Sequence, residues 1–183
     1  MDRWAALFAD LAGELAGAEA AELDAEVRDR ARRELARQLL VDRLTAARGH
    51  DLTVTTAAGA VRGTLDDAAP EWLVLADGAR QHLVALRHVL AVDGLPPHAE
   101  EPAKAVERLN LGYALRALAR RRVPVSVTLA GGTVLGGTFD RVAGDYAELA
   151  EHPPHEPRRP AHVTRTRAIP LRAVVAVRSE LVV

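Results

Sequence analysis

Hydrophobic positions in this chain keep one period over its first quarter and another after it. Over residues 2–47 they recur every three to four residues. Trp4, Leu7, Phe8, Leu11 and Leu15 form one stripe, and Val27, Ala31, Leu35 and Leu39 a second, with Leu40 and Leu44 beside it. That spacing predicts helix with a single apolar face. Asp24–Arg28, Glu26–Arg30 and Asp29–Arg33 add acid-before-base pairs four residues apart. Gly13 and Gly17 place a kink, or a join between two helices, near residues 13–20, and Gly49 ends the run as a cap.

From Asp51 the period is two. Leu52, Val54 and Thr56 alternate with polar neighbours, and Val61, Gly63 and Leu65 make a second strand. Trp72 to Leu75 make a third, His82 to Ala85 a fourth and Val89 to Val92 a fifth, with turns at Gly59, Asp66–Pro70 and Gly78. Five short strands on tight turns imply a small, strongly bent antiparallel barrel. Residues 94–101 read as a linker. Pro102 opens a helix that carries Val106, Leu109, Tyr113, Leu115 and Leu118 inward, and Pro124 stops it.

The strand pattern is then written again. Asp51 to Thr56 recurs as Pro124 to Leu129, Gly63-Thr64-Leu65-Asp66 as Gly137-Thr138-Phe139-Asp140, and Ala85 to Val92 as Pro170 to Val177. The offset is 73 at the start (124 − 51), 74 in the middle (137 − 63) and 85 at the end (170 − 85), which places an insertion in one loop of the second copy, Glu151 to His162. Duplicated units differ in their loops. The expected architecture is α+β: two repeated helix-plus-five-strand small bent barrels preceded by a long N-terminal helix. The segments are an N-terminal helical region 1–48, a first barrel 49–95, a linker and helix 96–122, and a second barrel 123–183 with an inserted loop 151–162.

Two phrases carry a family resemblance. Gly59-Ala60-Val61-Arg62-Gly63-Thr64-Leu65 and its partner Gly132 to Phe139 sit on the second strand of each copy. Val84 to Val92 places the basic turn Arg87-His88 between two hydrophobic strands. Together they resemble the Sm/LSm family, the Arg87-His88 pair being similar to that of its Hfq-like members. The resemblance covers about two-thirds of the chain. It implies bent barrels, a glycine at the bend (Gly63, Gly137), RNA contact at the basic turn, and pairing of fourth and fifth strands between neighbouring barrels. The second copy has Arg172-Ala173 at that turn. The loops Asp66–Glu71 and Arg141–Asp145 hold neither the Asn nor the aromatic with which the family reads a base, and such stacking contributes about 1–3 kcal/mol per base. PRC-type barrels share a similar phrase and bind no RNA.

Composition narrows the functions. The chain has 183 residues, 49% of them hydrophobic and 3% aromatic, so its core is built from Ala, Val and Leu. A net charge of −1 gives no overall electrostatic footprint for nucleic acid, which leaves local patches. Arg116, Arg120, Arg121 and Arg122 form the densest one. At a helix C-terminus they complement the dipole or bind phosphate. Arg158 and Arg159 lie in the inserted loop, and Arg165 and Arg167 on the strand after it. With Arg87, His88 and Arg172 these are the candidate nucleic-acid contacts. Zero cysteines exclude disulfides and thiolate chemistry. His152, His155 and His162 match no zinc spacing, so no metal is expected. The catalytic motifs for phosphate, acyl or metal-assisted chemistry are missing, so no enzyme and no cofactor are expected.

The sequence also carries no cleavable leader and no apolar run near the ~18–20 residues of a membrane span, so a cytoplasmic protein is expected. The expected function is a non-catalytic regulator that binds nucleic acid, RNA first and DNA second. The alternative is a protein-interaction or assembly scaffold of edge-pairing barrels without nucleic acid. A homo-oligomer is expected, most simply a dimer, with Trp4, Phe8, Leu11 and Leu15 as partner contacts. One free sheet edge is expected to be satisfied within the chain and one left at each end, with Val174–Val177 among the open strands.

Overall fold

A computed structural model describes residues 22–97 apart from 31 and 34, then 109–153 and 158–180. The chain divides into two compact units, Met1–Leu39 and Leu40–Val183.

In the first unit helix α1 covers residues 22–30 and continues at 32–33 and 35. Val27, Leu35 and Leu39 of the second stripe are exposed, as is Leu23. Residues 36–37 turn and 38–39 are irregular. Gln38 N donates to Leu35 O, one residue short of the helical partner, and this ends α1. The long N-terminal helix expected to run on to residue 47 is therefore corrected: it breaks at 36–39. The Trp4–Leu15 stripe and the expected kink at 13–20 lie outside the described residues.

The second unit opens with α2, Leu40–Ala46, held by fully buried Leu44. Strands follow as β1 Asp51–Thr56, β2 Gly59–Ala69, β3 Trp72–Asp77, β4 Arg80–Ala85 and β5 Val89–Asp93. Helix α3, Leu111–Arg121, separates them from β6 Pro124–Leu129, β7 Val134–Val142, β8 Tyr146–Glu151, β9 Arg165–Pro170 and β10 Val174–Glu180. Alternation decides the faces: Leu52, Val54 and Thr56 of β1 are buried and their neighbours are not.

All ten strands belong to one antiparallel sheet, ordered β5-β1-β2-β3-β4-β10-β6-β7-β8-β9. This overturns the expectation of two separate helix-plus-five-strand barrels. The physical reason lies at the middle of that order. A strand edge left bare presents unpaired N–H and C=O groups, and β4 and β10 satisfy each other's. Their register runs from Ala176 opposite Val84 to Glu180 opposite Arg80. Strand β10 also pairs with β6, so Val174–Val177, expected as an open edge, lies inside the sheet. What repeats is the order of strands within one sheet: fifth, first, second, third, fourth on each side of the seam.

The seam strands supply both hydrophobic cores. Val84, Val175 and Ala176 join Leu44, Leu52, Val54, Leu65, Leu73 and Leu75. Leu83, Ala85, Val174 and Val177 join Trp72, Leu111, Leu115, Phe139 and Leu149.

Close approach in the sheet depends on two glycines at equivalent positions. A β-carbon at Gly63 would collide with the Ala76 carbonyl, and one at Gly137 with that of Ala150. Just beyond each, the register shifts, between Leu65 and Asp67 and between Phe139 and Arg141. The bulges add bend to the sheet.

Helix α3 begins later than the sequence suggests. Residues 109–110 are not helical, and Asn110 caps the first turn, its Oδ1 accepting from Tyr113 N at 2.8 Å. Pro102 and Val106 lie outside the described residues. Leu111 and Leu115 are buried, whereas Tyr113 points outward. Arg122 closes the helix in the left-handed conformation, φ 51°.

Candidate functional site

Two short 3-10 turns meet at the seam, Leu86–His88 after β4 and Leu171–Ala173 after β9. Arg87 Nη2 donates to the Leu171 carbonyl, and His88 Nε2 lies 2.8 Å from the Arg172 carbonyl oxygen. The basic pair that the sequence marks as a nucleic-acid contact therefore holds the turn of the other half. Arg172 itself is exposed, with no side-chain partner among the described residues.

Beside these turns opens a cleft of about 280 Å³. Arg87 and Arg172 line it together with Glu71, Asp145, Asn110 and Gly112. Glu71 Oε2 accepts from Leu111 N at 2.9 Å and so receives the start of α3. Arg116 reaches back along the helix, its Nη1 lying 3.4 Å from where a β-carbon at Gly112 would sit. The structure thus brings Arg87 and Arg172 together in one cleft, with His88 in the adjoining turn and Arg116 beside the lining residue Gly112. Glu71 and Asp145 in the same cleft offset that positive charge, which disfavours a phosphate there.

The other candidates are elsewhere. Arg120, Arg121 and Arg122 are exposed at the far end of α3, and their side chains have no partner among the described residues. Arg158 Nη2 donates to Asp140 Oδ2 at 2.8 Å. Arg165 Nε lies 3.3 Å from Glu151 Oε2, and Arg167 Nε donates to Glu151 Oε1. Arg159 is exposed. In the inserted segment, residues 154–157, including His155, lie outside the described residues, and Pro160–His162 forms a 3-10 turn. His152 is buried, with Nε2 at 2.8 Å from Thr138 Oγ1. Among the described residues no group of three His, Asp or Glu stands close enough to hold a metal ion.

Residues 37–93 match a family described as a domain of unknown function, DUF2642. The DUF2642 match runs from just before α2 to the end of β5, so it spans the first half of the sheet and stops before the seam partner β10. No curated protein matches the chain. No described helix is long and apolar enough to cross a membrane.

The sheet ends form the second candidate surface. Among the described residues, strand β5 pairs only with β1, and β9 only with β8. On β5, Leu90 is 69% exposed, whereas Val175, which occupies the repeat-equivalent place on β10, is 1% exposed. Sequence reading passed over this pair because the two strands look alike as sequence. The constant offset between Ala85–Val92 and Pro170–Val177 is the signal that makes the comparison possible.

Proposed function

We propose that this chain is a non-catalytic interaction and assembly module of the cytoplasm, which takes a partner strand on an open edge of its sheet. The observation that carries the reading is the contrast between β5 and β10. In β10, with a strand on each side, Val174 to Val177 are all buried; in β5, with β1 alone beside it among the described residues, Leu90 and Ala91 are exposed and Val89 and Val92 half-buried. An apolar edge strand with unpaired backbone groups is a template for a further strand. The charge balance of the seam cleft, acidic beside basic, fits a protein contact better than a polyanion. Sedimentation velocity on the full-length protein at micromolar concentration tests the reading. Association should be present in the wild type and weakened at least about ten-fold by Leu90→Lys, which sets a charge on the apolar edge. A wild-type protein that sediments as a monomer and pulls down no partner through β5 would overturn it.

A second reading, a nucleic-acid-binding regulator, is favoured by one observation, the three arginines Arg120–Arg122 at the end of α3, exposed and without a side-chain partner among the described residues. Retention of single-stranded RNA or duplex DNA at low salt, lost in the Arg120/121/122→Glu variant, would move the assignment to it.

A further inference from the structure

We propose that a second cleft, which crosses the β4–β10 seam, binds a small organic acid, a single carboxylate on a short aliphatic body. The inference goes beyond the assembly reading and does not depend on it. The cleft has a volume of about 330 Å³, inside the range of roughly 300–1,000 Å³ that ligand sites occupy. It shares no lining residue with the cleft at the 3-10 turns.

The sheet register sets its polar groups in a row. His82 of β4 pairs with Arg178 of β10, and Arg178 with Ser126 of β6. Directly opposed residues share a face of the sheet, so an imidazole, a guanidinium and a hydroxyl stand side by side in the cleft wall on three paired strands. Arg178 is exposed, and its side chain has one hydrogen bond among the described residues, a long one of 3.4 Å to Ser126 Oγ. The half-buried His82 ring has no hydrogen-bond partner among the described residues. Burial lowers its pKa and Arg178 pushes the same way, so at neutral pH the ring offers one N–H. A guanidinium fork, a hydroxyl and a ring N–H are the donors that a carboxylate accepts from.

The remaining walls are mostly apolar. Val175 and Ala176 are buried beneath the cleft, and Val61 and Val134 face it from equivalent places in the two repeats, 73 residues apart (134 − 61). Val134 is 60% exposed, and an aliphatic body would cover it. No Asp or Glu lines this cleft among the described residues, in contrast with Glu71 and Asp145 at the turns. One cation among apolar walls matches one negative charge, and the second charge of a phosphate monoester would be left without a partner. Because both halves of the sheet supply the walls, a bound acid ties them together and stabilises the folded chain by mass action.

Calorimetric titration of the full-length protein with sodium octanoate at neutral pH tests the proposal, with thermal unfolding as a second readout. The expected result is saturable binding with a Kd below about 1 mM and a Tm that rises with octanoate concentration. Arg178→Gln and Val134→Glu, both at exposed positions and checked for folding by circular dichroism, should each weaken binding at least about ten-fold. Arg62→Gln, outside the cleft, should bind as the wild type does. Absence of saturation up to about 10 mM octanoate overturns the proposal. Equal affinity for octanoate and uncharged octanol overturns it as well, since the carboxylate would then contribute nothing. So does binding that persists in both Arg178→Gln and Val134→Glu, which places the acid elsewhere, and so does tighter binding of octyl phosphate, which assigns the cleft to a dianion.

Discussion

Replacing Arg87 with Ala separates two roles for the turn between β4 and β5. If Arg87 holds the seam, its loss costs stability; if it serves only a ligand, stability is unchanged. The side chain is exposed, but it donates to the carbonyl of buried Leu171 from the other half of the sheet. A hydrogen bond with a charged donor contributes about 1.5–3 kcal/mol, and partial exposure places this one at the low end, about 1.5 kcal/mol. The His88 contact to the Arg172 carbonyl stays in place, so the turn is weakened and not released. For a domain of this size that loss lowers Tm by about 3–6 °C. Urea and thermal unfolding of the full-length protein, followed by far-UV circular dichroism, measure it. Arg120→Ala is the control: exposed and without a side-chain partner among the described residues, it should stay within about 0.5 kcal/mol of wild type. Arg87→Ala and Arg120→Ala unfolding at the same midpoint would refute the reasoning.

Two further substitutions probe the sheet. Gly137→Ala drives a β-carbon into the Ala150 carbonyl and should cost at least about 1–3 kcal/mol, whereas Gly144→Ala, which meets open space, should leave Tm nearly unchanged. His82 sits in β4 opposite Arg178. Burial lowers its pKa below the ordinary 6.5, Arg178 and Arg80 push the same way, and Asp77 opposes them. A histidine held neutral in the fold binds fewer protons than the unfolded chain, so its contribution is complete above about pH 6.5 and fades as pH falls from there toward the lowered folded value. The slope of Tm against pH between 7 and 5 should therefore flatten in His82→Gln, and an identical slope in the two proteins would dispose of this account.

What the sequence discloses here is local, and what it hides is the pairing of distant strands. The alternation of Leu52, Val54 and Thr56 specifies a half-buried strand because the side-chain period alone fixes the faces. Gly63 and Gly137 are legible because a missing side chain marks backbone crowding. The seam is different. Whether Ala85–Val92 or Pro170–Val177 ends up inside the sheet depends on which strand arrives beside it, and both runs carry the same apolar pattern. The arginines fail for a related reason. Arg165 and Arg167 read as a basic face until β8 brings Glu151 between them, and Arg158 until β7 brings Asp140. The start of α3 is hidden in the same way: the proline marks it in sequence, but Asn110 supplies the cap and Glu71, in the turn between β2 and β3, receives its first N–H.

The place of β10 in the sheet has a consequence for how the chain comes to be folded. During synthesis β4 is complete at Ala85, yet the strand that covers it, Val174–Glu180, is made last among the described elements. For that interval the growing chain carries the first half of the sheet with both its outer strands bare, β5 on one side and β4 on the other. Such a nascent half is liable to pair with the same half on a neighbouring ribosome, and long-range closure of this kind is slow. A chaperone that occupies β4 until the last strand emerges would raise the yield of correctly folded protein. A chain cut between α3 and β10 would keep a folded-looking first half whose sheet never acquires its seam.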